Sequence, residues 1–165
     1  MIAVFMASQC VYGQQTASCE QAEFDAEVRR YLSFEVHAID VSTLWDKRED
    51  VIILDARESE EYRVSHIPGA IHVGYRQFDP KSLESIPKEA SIVVYCSIGY
   101  RSEKIAGRIQ DAGFKHVENV FGSIFEWTNR GYPLVDARGE PTERLHTYSR
   151  KWSRWVNHPS VIKTW

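Results

Sequence analysis

The stretch Ile92-Val93-Val94-Tyr95-Cys96-Ser97-Ile98-Gly99-Tyr100-Arg101-Ser102 decides how the rest of the chain is read. A β-branched and aromatic run stops at a cysteine. Six residues on, counting that cysteine as the first, a helical pattern takes over. The stretch reads as a buried strand, a tight loop and a helix N-terminus. A thiol at the mouth of such a loop faces free backbone N–H groups and the positive end of a helix dipole. Both favour the thiolate, the nucleophilic form of the sulfur.

Outward from this stretch, strand and helix patterns alternate. Glu20 to Leu32 carries Ala22, Ala26, Val28 and Leu32 at helical spacing, and Val36 to Ile39 is a short strand. Asp40 is suited to cap a helix over Val41 to Asp46, with Leu44 and Trp45 facing inward. Val51 to Leu54 is a continuous apolar run flanked by charge, as in a central parallel strand. Glu58 to Val64 is a helix with acids in its first turn, and Ala70 to Val73 is a strand after the Pro68-Gly69 turn. Short helical turns flank Pro80. Ser102 to Ala112 is a helix capped by Ser102 and closed by Gly113, with Ile105, Ala106 and Ile109 on one face. Lys115 to Val120 is a strand, and Gly122 to Arg130 a helix holding Ile124, Phe125 and Trp127. Strands alternating with helices in units of this size predict an α/β fold with a mainly parallel sheet.

The chain has 165 residues, 43% of them hydrophobic and 26% charged, so it reads as one globular domain with extra segments. A net charge of −3 and a pI near 6.1 give no basic excess for nucleic acid. The three cysteines, Cys10, Cys19 and Cys96, lack the close pairing a zinc site needs, and the six histidines are scattered, so no metal or cofactor is expected. Cys19 lies in a polar, acidic stretch and is given no catalytic role.

Residues 1–13 carry no charge and hold the apolar run Ile2 to Ala7, while Val11 and Gly13 suit a cut before Gln14. The segment reads as the end of a secretory signal peptide whose positively charged start is missing, which points to a periplasmic or secreted location. A frayed N-terminus of a cytoplasmic protein is the alternative. The run is too short to span a bilayer.

Four motifs together resemble the rhodanese domain. They are Leu54-Asp55-Ala56-Arg57 with Glu61-Tyr62; His66-Ile67-Pro68-Gly69-Ala70-Ile71; Val94-Tyr95-Cys96 with Gly99 and Arg101-Ser102; and Gly122-Ser123-Ile124 with Trp127, Gly131 and Pro133. The resemblance covers residues 34–135, after a lead-in at 14–33. It implies a parallel sheet of about five strands with helices on both faces. The implied activity is that of a sulfurtransferase, which moves sulfane sulfur from a small donor (thiosulfate or a persulfide) to a thiol or cyanide acceptor through a persulfide on Cys96. A protein thiol is a further partner it allows.

The residues of the loop fit that chemistry. The N–H groups of Ser97, Ile98, Gly99, Tyr100 and Arg101, curled around Cys96, would bind an anionic outer sulfur. Charge-assisted hydrogen bonds of this kind are each worth ~1.5–3 kcal/mol. Four residues separate Cys96 from Arg101. The related cell-cycle phosphatases have five, for a tetrahedral phosphate, so phosphatase or arsenate-reductase chemistry ranks second. A sulfur carrier without rapid turnover is the other alternative. Ile98 and Tyr100 are expected to project toward the entrance. Ile98 stands where thiosulfate-using rhodaneses often place a basic residue, with Arg101 and Arg76 as partial replacements. Asp55 and Arg57 read as a structural ion pair with Glu61 as a further partner, while His66 and Trp127 read as packing residues.

Beyond Asp136 the composition changes. Arg144, Arg150, Lys151 and Arg154 interleave with Tyr148, Trp152 and Trp155 in a basic, aromatic extension over 136–165. It is expected to pack its tryptophans on the domain and leave its charges solvated. Contact with a partner or an anionic surface is the alternative.

Overall fold

Alternation along one strand organises the fold. In the computed structural model, which describes residues 17–165, Ser91–Tyr95 forms a strand whose Ile92 to Tyr95 are fully buried. A strand buried on both faces must be covered by helices on both, which is the situation of a parallel α/β sheet. The sheet has five strands: β1 (Ala38–Ile39), β2 (Ile52–Asp55), β3 (Ile71–His72), β4 (Ser91–Tyr95) and β5 (His116–Val120). Their spatial order is β1-β5-β4-β2-β3, and every pairing is parallel.

Side chains alternate across β4 with period two. Val93 and Tyr95 face a core built with α1 (Ala22–Arg29), α2 (Val41–Lys47) and α5 (Ser123–Asn129), which contribute Phe24, Val28, Leu44, Phe125 and Trp127. Ile92, Val94 and Cys96 face the other core, where α4 (Tyr100–Asp111) packs Ile105, Ala106 and Ile109. Cys96 therefore lies on the α4 side because it follows Val94 by two. The connection after β2 runs to β3 on one side and that after β4 to β5 on the other. Their carboxyl ends diverge and leave a crevice there, the usual ligand position in such sheets.

Local expectations meet the structure closely where the signal is local. Asp40 caps α2, accepting from the Thr43 N–H at 2.8 Å. The helix α3 (Ser59–Val64) opens with a reciprocal capping box between Glu58 and Glu61. Three readings are corrected. The lead-in helix buries Val28, and Leu32 beyond its end, as expected, but Phe24 in place of Ala22 and Ala26, because its neighbours are the aromatic faces of Phe125 and Trp155. Helix α4 begins at Tyr100 with Gly99 in the cap position, so Ser102 lies within the first turn and does not cap. Its C-cap is Ala112, with Gly113 one residue beyond at φ +95°. The signal-like segment and Cys10 lie outside the described residues. No helix among the described residues is long and apolar enough to cross a membrane.

The extension is folded. Strands β6 (Arg144–His146) and β7 (Ile162–Thr164) pair in parallel, joined through a 3-10 turn at Trp152–Trp155, and β6 packs beside α3. Trp155 stacks on Phe24 at 5.6 Å, and its carbonyl accepts from the Asn129 amide at 2.8 Å. The Asn157 N–H donates to Asn129 Oδ1 at 2.7 Å. Leu145, Thr147 and Val156 are fully buried, while Arg144, Arg150, Lys151 and Arg154 are exposed. This packing carries a stability prediction. Leu145→Ala should cost about 2–5 kcal/mol, the range for a leucine removed from a close-packed core. Denaturant unfolding measures it, and a loss below about 0.5 kcal/mol, the size of a surface substitution, would mean the extension is not part of the core.

Candidate active site

The loop from Cys96 to Arg101 sits at the carboxyl end of β4, and its outer edge is held by hydrogen bonds. The N–H groups of Gly122, Ile124 and Phe125, at and just inside the start of α5, donate to the carbonyls of Ile98, Cys96 and Ser97 at 3.1–3.2 Å. Helix N-termini leave such donors without intrahelical partners, and here the loop takes them. The Cys96 N–H donates to Ser123 Oγ at 3.1 Å. From β5, the buried Asn119 amide donates to the Gly99 carbonyl at 3.0 Å. With its carbonyls tied outward, the loop can turn N–H groups toward the sulfur, and the Gly99 N–H meets Cys96 Sγ at 3.2 Å.

Gly99 is required by geometry. Its φ is +118°, and a Cβ there would lie 3.1 Å from the Val120 carbonyl oxygen, a backbone atom that cannot yield easily.

Cys96 is 1% exposed. Burial opposes ionisation of its thiol more than any other single influence. It is outweighed by the Arg101 charge, by the hydroxyl and N–H of Ser102, and by the Gly99 N–H, so the thiol titrates below its ordinary range. The Ser102 hydroxyl also lies 2.7 Å from Asn119 Oδ1 and 3.1 Å from the Gly99 carbonyl oxygen. It has one proton, so its help to the sulfur competes with those bonds.

Arg101 points inward, with only 12% of its side chain exposed, and forms a bidentate pair with Glu61 at 2.7 and 2.8 Å. Its Nη2 also donates to Ser97 Oγ at 2.9 Å. Burial works against the charge on Glu61, but the Arg101 hydrogen bonds and charge hold its pKa down. Glu61 thus pairs with Arg101 and not with the Asp55–Arg57 pair. That pair is fully buried beside the site: Arg57 Nη2 donates to Asp55 Oδ2 at 2.6 Å and to the Ser65 carbonyl at 2.7 Å. The Tyr95 hydroxyl donates to Asp55 as well and accepts from the Ile67 N–H at 3.1 Å. These bonds are directed to structure, as are those of His66, stacked on Tyr62, and Trp127, whose Nε1 donates to the Pro133 carbonyl.

Above the sulfur opens a cavity of about 500 Å³, lined by Cys96, Ser97, Ile98, Tyr100 and Arg101. The sequence expectation that Ile98 projects toward the entrance is corrected. Ile98 is 7% exposed and packs largely into the α1, α2 and α5 core, on the opposite side of the sheet from Cys96, so the two-residue alternation of β4 ends where the loop begins. Tyr100 does reach the mouth, at 41% exposure. Sequence reasoning missed the other walls: Tyr31 after α1, and Tyr148 and Trp152 of the extension. The basic-aromatic composition after Asp136 was the visible signal, yet nothing local ties those rings to Cys96. Cys19 is buried away from this cavity, against Gly122 and near Glu126, and its thiol is pushed up by burial first and then by the acidic neighbours. Among the described residues no group of three or more His, Cys, Asp or Glu is placed to hold a metal ion.

The sequence model of the rhodanese-like domain matches residues 40–130, more than half of the chain. The chain belongs to the rhodanese-like family. Three similar proteins give its setting. The thiosulfate sulfurtransferase GlpE of Coxiella burnetii is 32% identical over 91 residues, which are 55% of this chain and 83% of that protein. YrkF of Bacillus subtilis, named as a candidate sulfur carrier protein, is 36% identical over 85 residues, 52% of this chain but only 45% of YrkF. The solved rhodanese-like domain of the Anabaena protein Alr3790 superposes with a TM-score of 0.55 at 26% identity, covering 59% of this chain and 76% of that one. The rhodanese-like match ends before Tyr148 and Trp152 and begins after Tyr31.

The electrostatics of this rhodanese-like site are open to measurement. The rate of Cys96 alkylation against pH should inflect below that of an unstructured cysteine. Arg101→Ala should move the inflection upward, since it removes the charge that most lowers the thiol pKa. An unchanged inflection in that variant would assign the lowering to the loop N–H groups and the Ser102 hydroxyl.

Proposed function

We propose that the chain is a sulfurtransferase in which Cys96 takes up sulfane sulfur as a persulfide and passes it to a thiol or to cyanide. The observation that carries this reading is the buried Cys96 sulfur, with the Gly99 N–H at 3.2 Å and Arg101 holding its pKa down. The thiolate attacks the outer sulfur of the donor, the donor's S–S bond breaks, and the remainder leaves with the electron pair. The acceptor thiolate, or cyanide, then attacks the outer sulfur of the persulfide and restores the Cys96 thiolate. The N–H groups of Ser97, Ile98, Gly99, Tyr100 and Arg101 are the proposed cradle for the transferred sulfur, and they favour its ionised form on Cys96. The relatives named for thiosulfate sulfurtransferase activity support the reading.

A sulfur-carrier role, in which Cys96 holds the persulfide without rapid turnover, is the second reading. The 1% exposure of Cys96 and the likeness to YrkF favour it. Phosphatase chemistry has no comparable support, and the four residues between Cys96 and Arg101 are one fewer than the related phosphatases carry.

Mass spectrometry of the protein after incubation with thiosulfate should show the gain of one sulfur atom, and Cys96→Ser should show none. Multiple turnover with cyanide separates the enzyme from the carrier. No sulfur gain with any donor, together with hydrolysis of a phosphate ester, would overturn both readings.

A further inference from the structure

The cavity over Cys96 is larger and more aromatic than an inorganic donor needs. Its volume of about 500 Å³ falls in the range of pockets for organic ligands, roughly 300–1,000 Å³. Five aromatic rings stand around it, those of Tyr31, Tyr75, Tyr100, Tyr148 and Trp152. Tyr31 meets Tyr100 edge-on at 6.3 Å and Trp152 edge-on at 5.4 Å, and Tyr148 lies over the Arg101 guanidinium at 5.3 Å. Tyr31, Tyr100 and Tyr148 are 40%, 41% and 54% exposed, so half of the six large exposed apolar side chains among the described residues gather at this one mouth. Such a concentration of aromatic surface marks a place where something binds.

The position of Tyr148 is imposed by the backbone. Its φ is +64°, a region that a tyrosine seldom adopts, and its N–H donates to His146 Nδ1 at 3.1 Å. Strained backbone of this kind clusters at ligand sites.

The charges argue in the same direction. The two cations that line the cavity each face a carboxylate: Arg101 pairs with Glu61, and Arg76 lies 3.8 Å from Glu58. A small dianion such as thiosulfate gains most from an uncompensated cation, and this wall offers flat apolar faces instead.

Resting on the sulfurtransferase reading, we propose that the preferred donor is an organic sulfane-sulfur compound with a flat apolar body, and that Tyr31, Tyr148 and Trp152 select it. For an organic persulfide R–S–SH, the Cys96 thiolate attacks the terminal sulfur, the S–S bond breaks, and R–S⁻ leaves with the electron pair, giving Cys96–S–SH. For a thiosulfonate R–SO₂–S⁻ the same attack releases the sulfinate R–SO₂⁻. The R group rests against the rings while the transferred sulfur enters the loop.

The experiment compares benzenethiosulfonate with methanethiosulfonate, two donors of one chemistry that differ in the body, with cyanide as acceptor. Thiosulfate is the inorganic reference. The expected result is a ratio of kcat/KM, benzene over methane, that falls about tenfold in the double variant Tyr148→Ala/Trp152→Ala, as loss of two aromatic contacts predicts. Tyr148→Phe keeps the ring and should keep the ratio. Taking the ratio within one protein cancels any general loss of folding or of Cys96 reactivity. Equal losses with both donors, or an unchanged ratio, would overturn the proposal. Sulfur uptake from all three donors with no preference, still abolished by Cys96→Ser, would reject the selection while leaving the persulfide reading intact. Uptake that survives Cys96→Ser would reject the persulfide reading itself.

Discussion

A sulfur that must carry negative charge while almost wholly buried sets the demands on this structure. Removing an anion from water is costly unless charge and hydrogen bonds replace the solvent. Cys96 meets that demand with the Arg101 charge and with N–H and hydroxyl donors from the first turn of α4. Arg101 is itself buried, so it needs a counterion, and Glu61 supplies it from the start of α3. Glu61 is in turn fixed by its capping-box contact with the Glu58 N–H at 3.0 Å. The compensation passes from the sulfur through α4 to α3, so the loop cannot be understood apart from the helix after β2.

The neighbouring strand end is held by a second set of buried charges. Asp55 accepts from both Arg57 and the Tyr95 hydroxyl in the interior, and Asp55 stands opposite Tyr95 in the register of β2 and β4. A buried ion pair of this kind is a weak source of net stability but is strongly disrupted by losing one partner. Its role here is positional. It keeps the two carboxyl ends that flank the crevice in one arrangement, while α5 holds the carbonyls of the Cys96 loop from the other side.

The extension changes the character of the site, laying the Tyr148 ring over the Arg101 guanidinium. Its strands and 3-10 turn fold back on α1, α3 and α5, and the same packing brings Tyr148 and Trp152 over the cavity. The rhodanese-like core positions a sulfur, and segments outside the matched core supply much of the aromatic wall.

Sequence alone determined the features governed by local physics. The alternating and continuous apolar runs marked β2, β4 and β5, Asp40 marked a cap, and the Cys96 loop with its flanking motifs pointed to a parallel α/β rhodanese-like fold. Gly99 was legible as a member of the loop motif and one of its N–H donors. That it caps α4, with Ser102 inside the helix, depended on a φ that the sequence does not display. Only the tertiary structure decided the partners. Glu61 and Arg101 are 40 positions apart, so their pairing follows from where β2 and β4 lie in the sheet, not from any periodicity. Ile98 turned into the core because the loop leaves the β4 alternation after Cys96, a change of direction that the strand pattern does not display. Tyr31, Tyr148 and Trp152 came to line the cavity over the sulfur because two segments distant in sequence bury their apolar sides on the same domain, a condition that no local pattern encodes.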